Sequence, residues 1–142
     1  MSAITWLDHT ADCGFRVTGP SLEDAFCEAG RALFSLMFAI ATIRSSTAYS
    51  VALSAPSLEA LLVEWLSELL AQKDLSRLVF SRFEVKISGN AIHGFSAVGR
   101  AFGEKLDRDR HQPRTEVKGI SYLGLDVTCA DGACVAQVVV DV

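Results

Sequence analysis

Long apolar runs are missing from this 142-residue chain. None reaches the ~18 residues that a membrane-crossing helix requires. The opening M-S-A-I-T-W also lacks the basic start and apolar core of a secretory signal, so a soluble cytoplasmic protein is expected. An excess of positive charge is missing too. The formal net charge of −4 argues against a protein that holds RNA or DNA by its overall field. There is no C-x-x-C among the four cysteines, and no histidine pair at ligand spacing, which disfavours zinc. G-x-S-x-G, H-E-x-x-H, a glycine loop that cradles phosphate and a Cys/His nucleophile pair are all absent, so the common hydrolase and nucleotide-binding chemistries have no footing. Low-complexity segments and internal linkers are lacking as well. One domain spanning 1–142 is expected.

Half of the residues are apolar and about a fifth are charged, the composition of a globular domain with a real core. The phrase P-S-L-E occurs at 20–23 and again at 56–59. Each time Ser stands at a helix N-cap with acids in the first turn. Leu22, Ala25, Phe26, Ala29, Leu33 and Leu36 follow the first cap at helical spacing; Leu58, Leu61, Leu62, Trp65, Leu66, Leu69 and Leu70 follow the second. Strands are predicted at 3–8, 13–18, 47–55, 78–87, 92–101, 115–121, 124–129 and 134–142. Gly89-Asn90 and Asp131-Gly132 mark hairpins, the latter with the signature of a type I′ turn. The fold class is therefore α+β, with mostly antiparallel or mixed sheet and two main amphipathic helices. The one long irregular stretch is 103–114. Cys129 and Cys134 would face each other across the second hairpin, but a cytoplasmic setting favours two buried thiols over a disulfide.

Two places carry acids where apolar strands would not need them. W-L-D-H-T-A-D-C-G-F at 6–15 sets Asp8, His9 and Asp12 just before a glycine. V-V-V-D-V at 138–142 interrupts a strand with Asp141, next to the carboxylate of Val142. Asp12 alone is well explained as a turn former, and Asp141 alone by solvent. If the first and last strands lie side by side, however, Asp12, Asp141 and the Val142 carboxylate gather three hard anionic oxygens, the donor set of Ca²⁺, Mg²⁺ or Mn²⁺. His9 is equally a ligand, an acid/base group or an orienting hydrogen-bond donor. The segment from Arg100 to Lys118 holds six cations against four acids; it reads as a solvated loop, with a local basic patch as the alternative. A small metal-dependent phosphohydrolase lacks the second Asp/His cluster that a two-metal site needs. A holdase-like chaperone and an interaction scaffold remain open.

Taken in chain order, H-T-A-D-C-G at 9–14, L-L-V-E-W-L-S-E-L-L at 61–70, V-F-S-R-F at 79–83, H-Q-P-R-T-E-V-K at 111–118 and the final V-V-V-D-V resemble the archease family over nearly the whole chain. Cys13 and the Cys129/Cys134 pair are local departures. The resemblance implies a non-catalytic activator of the GTP- and metal-dependent RNA ligase of tRNA splicing and RNA repair. Such a protein promotes the ligase's guanylylation and turnover, and its contact with RNA is indirect or weak. The resemblance also implies a divalent-metal site, calcium included, that falls here on Asp12 and Asp141 with Val142 adding oxygen. Asp8, His9, Arg110, His111 and Lys118 are the candidate supporting or partner-contact residues. An alternative attached to the same family is a chaperone-like modulator of RNA-modifying enzymes such as methyltransferases.

Overall fold

The computed structural model describes residues 2–8 and 12–142, the side chains at positions 8 and 12 excepted. Two antiparallel sheets and two long helices enclose one core. The strands are β1 (Ala3–Asp8), β2 (Asp12–Gly19), β3 (Thr47–Ala55), β4 (Leu78–Asn90), β5 (Gly94–Lys105), β6 (Gly119–Ala130) and β7 (Ala133–Asp141). The first sheet has the order β1-β2-β7-β6 and the second β3-β5-β4. Helices α1 (Leu22–Met37) and α2 (Leu58–Ser76) carry the core, and α3 (Arg108–His111) is a single turn. None of the described helices is long and apolar enough to cross a membrane.

Both helix starts behave as the P-S-L-E phrase dictates. Ser21 Oγ accepts from the Asp24 N–H and Ser57 Oγ from the Ala60 N–H, each at 3.1 Å. Each bond satisfies one of the amide groups that a helix start leaves without a partner. Helix α1 packs against β2 of one sheet and β4 of the other, and α2 touches β3 and β6. The helices thus join the two sheets rather than cover one of them. Phe83 lies against Gly30, where even a methyl group would meet its ring at 3.1 Å. Trp65 is wholly buried, and its indole N–H donates to the Phe26 carbonyl at 3.0 Å, so the largest core side chain also ties α2 to α1.

Several boundaries move from their predicted places. Strand β5 runs on to Lys105, and the predicted irregular stretch 103–114 contains α3. Strand β4 crosses β5 so closely at Gly103 that a Cβ there would sit 1.7 Å from the Val79 carbonyl oxygen; only glycine lets the two strands stay paired. The predicted strands 115–121 and 124–129 form one strand, β6, with an irregularity between Ser121 and Asp126 where Gly124 takes φ +75°. Residues 115–118 are not strand. The Gly89-Asn90 turn comes slightly later, over 91–93, with the Asn90 carboxamide oxygen accepting from the Ile92 and His93 N–H groups.

The second hairpin forms as predicted, with positive φ at Asp131 and Gly132. The pairing of its cysteines corrects the expectation of two buried thiols: Cys129 and Cys134 form a disulfide. They are register partners with Cα atoms 4.0 Å apart, so the tight turn itself brings the sulfurs together. Cys134 lies in the core while Cys129 is exposed.

Candidate functional site

Strand order decides what the two acid-bearing segments can do. It is the second strand, not the first, that runs beside the last: β2 pairs with β7 in antiparallel register, and Asp12 is the Cα partner of Asp141. Such partners lie about 4.5–5.5 Å apart at Cα. On its other side Asp141 pairs with Gly119 of β6, and its carbonyl accepts from the Lys118 N–H at 2.8 Å. Three chain segments therefore meet at one corner of the first sheet.

Alternation along β7 places Ala136, Val138 and Val140 in the core and Asp141 in solvent. The wet face also carries Gln137, which receives hydrogen bonds from Arg16 and donates to the Gly124 carbonyl. The Asp141 carboxylate projects over Gly119, where an added Cβ would lie 3.7 Å from Oδ2. Among the described residues it forms no ion pair. Val142 is exposed beyond the strand, 39% of its surface being accessible. Lys118 is exposed beside this corner. His9 and the side chains at positions 8 and 12 lie outside the described residues, and among the described ones no three His, Cys, Asp or Glu side chains are gathered to hold a metal.

Arg110 and His111, candidate supporting or partner-contact residues, are engaged inward. Glu104 Oε2 accepts from Arg110 Nη1 at 2.6 Å and meets His111 Nε2 at 2.8 Å; Oε1 accepts from Arg110 Nη2 at 3.1 Å. The Arg44 backbone N–H adds a further bond to Glu104. His111 is wholly buried, and its Nδ1 accepts from the Asp107 N–H at 2.9 Å. That bond leaves the ring proton on Nε2, donated to Glu104. The fork of donors from Arg110, reinforced by Arg44 and His111, outweighs burial and lowers the Glu104 carboxyl from 4.5 to about 2. Glu104 drew no attention in the sequence. A histidine within R-D-R-H-Q-P-R resembles a solvated one, and its partner lies seven residues upstream in a strand. The readable signal was Asp107, whose carboxylate caps α3 by accepting from the Asp109 and Arg110 N–H groups.

The Cys27 thiol is not set up as a nucleophile. Cys27 is half-buried, its thiol donates to the Phe83 carbonyl, and burial, helped by nearby Asp24, Glu28 and Glu84, pushes it up to about 11.

The fold and this acid corner describe a small α+β protein with an exposed carboxylate at the end of an interior strand. Among solved structures, the solution structure of Methanobacterium thermoautotrophicum protein 1598 superposes with a TM-score of 0.85 at 31% identity, over 98% of each chain. Residues 5–142 match the Archease protein family (MTH1598/TM1083). Proteins named archease from Pyrococcus abyssi (39% identical, 95% of each chain) and Sulfolobus acidocaldarius (33% identical, the full length of both) align with it. The chain belongs to the archease family.

Proposed function

We propose that this chain is a non-catalytic activator of the GTP- and metal-dependent tRNA-splicing RNA ligase, and that Asp12 and Asp141 hold the divalent ion through which it acts. One observation carries the reading: the register that makes Asp12 the partner of Asp141, at a corner where Asp141 is exposed and unpaired with any described cation. Two carboxylates brought to adjacent positions repel each other unless a cation lies between them. Hard oxygen donors suit Ca²⁺, Mg²⁺ or Mn²⁺. When bound, such an ion supplies positive charge to phosphate oxygens at the ligase's guanylylation centre.

The chain's own residues do the positioning. The Asp141 carboxylate extends over Gly119, and the bond from the Lys118 N–H fixes the start of β6 against the end of β7. Lys118 then stands beside the acids as a cation for the partner surface.

The test measures guanylylation of the ligase with wild type, Asp12→Ala and Asp141→Ala, after circular dichroism has established that both variants fold. Loss of stimulation by at least roughly 10- to 100-fold is expected, the scale on which even outer-shell damage lowers a metal site's affinity or activity. Full stimulation by either variant overturns the proposal. Phosphoester turnover by the purified protein alone, with Mn²⁺ added, overturns its non-catalytic half.

A further inference from the structure

A second polar site lies away from the acid corner. Between the C-terminal ends of α1 and α2 and the segment 106–116 is a cleft of about 400 Å³. Arg77, Arg108, Arg114 and Lys73 line it, against the acids Asp74 and Glu116. Lys73 Nζ is paired with Asp74 at 2.9 Å. The side chains of Arg77, Arg108 and Arg114 make no ion pair with any described residue, and all three are exposed. Lys73 and Arg77 are partly explained by the negative end of α2. Arg108 and Arg114 are not, for they come from a different segment that curls over the same space. In a chain of net charge −4, three guanidinium groups without a described ion-pair partner therefore lie around one concavity.

The walls are set before any ligand arrives. The Leu106 N–H donates to the Arg77 carbonyl at 2.8 Å, the Arg114 N–H to Met37 at 2.8 Å and the Ala39 N–H to His111 at 2.7 Å. The Glu104–Arg110–His111 cluster holds the same segment from beneath. Met37, Phe38, Leu106 and Pro113 give one side of the cleft an apolar surface. Its volume lies within the usual range for small-molecule sites, and guanidinium forks match phosphate oxygens better than any other side chain.

We propose that this cleft binds a phosphate-bearing anion of nucleotide size, its phosphate chain spanning Arg77, Arg108 and Arg114. The site is separate from the acid corner and does not depend on the ligase reading, because the test needs only the purified full-length chain. Calorimetric titration with inorganic tripolyphosphate, in EDTA so that no cation bridges the phosphates, should show one site per chain. Arg108→Glu/Arg114→Glu should weaken it by roughly 100-fold or more, about tenfold for each guanidinium removed. Arg108→Gln/Arg114→Gln, which adds no repulsion, should weaken it in the same direction and guards against a misfolded first variant. Adenosine should not bind. ATP binding more tightly than tripolyphosphate would assign the source as a nucleotide packed on the apolar wall; the reverse order would assign it as an inorganic chain. The proposal is overturned if neither polyphosphate nor ATP binds, if sulfate binds as tightly as tripolyphosphate, if both folded double variants bind unchanged, or if a ten-residue single-stranded RNA outcompetes ATP.

Discussion

Glu104 and Asp141 are both carboxylates near the ends of interior strands, and the fold treats them in opposite ways. Glu104, near the end of β5, is surrounded: two nitrogens of Arg110, the His111 ring and the Arg44 amide all reach it. Asp141, at the end of β7, is exposed with a glycine beneath it and no described counter-charge. One acid has its hydrogen-bonding capacity used internally and organises a segment of chain. The other has no described ion-pair partner. Identical chemistry is thus engaged or left open according to which donors the topology delivers to it.

The contrast breaks most visibly at Glu104. Glu104→Ala leaves the buried His111 without its Nε2 partner and Arg110 with the Thr42 carbonyl as its remaining acceptor, and unfolding in urea should show a loss of about 3 kcal/mol. Acid titration sharpens the same point. A carboxyl held at about 2 in the folded state and 4.5 otherwise contributes its full stability above pH 4.5. That contribution declines as pH falls from 4.5 toward 2. The difference between wild type and Glu104→Ala should therefore shrink across that window, and a difference that stays constant would show that Glu104 is not held this way. A saturating divalent cation should act at the other carboxylate. At a hundredfold excess over Kd it should stabilise wild type by about 2.7 kcal/mol, an effect that Asp141→Asn should remove in a melting experiment. Without cation, Asp141→Asn should alter stability by no more than about 0.5 kcal/mol, as at other exposed positions.

Local chemistry made much of the fold readable in advance. Serine caps, helical spacing after Ser21 and Ser57 and the Asp131-Gly132 turn act within a few residues, and each element formed where those signals stood. The alternation that puts Val138 and Val140 inside and Asp141 outside was equally legible. What resisted reading depends on distant contacts. The burial of His111 follows from Glu104 and from backbone bonds to the segment just after α1. The end of β5 follows from the close crossing at Gly103. The disulfide contradicts a preference drawn from compartment rather than from geometry, and the hairpin register was the better guide. At the acid corner the residues were nameable from sequence, whereas their adjacency rested on strand order, and β2 took the place expected of β1.

Strand β7 is the last-made of the described strands, yet it occupies the middle of its sheet between β2 and β6. Until it is synthesised, both neighbours present open edges and Asp12 has no counterpart across the ladder. A nascent chain therefore cannot display the acid corner early, and a product cut short before residue 133 would lose that corner together with its sheet. Formation of the corner requires that β7 has been made and has paired with both β2 and β6.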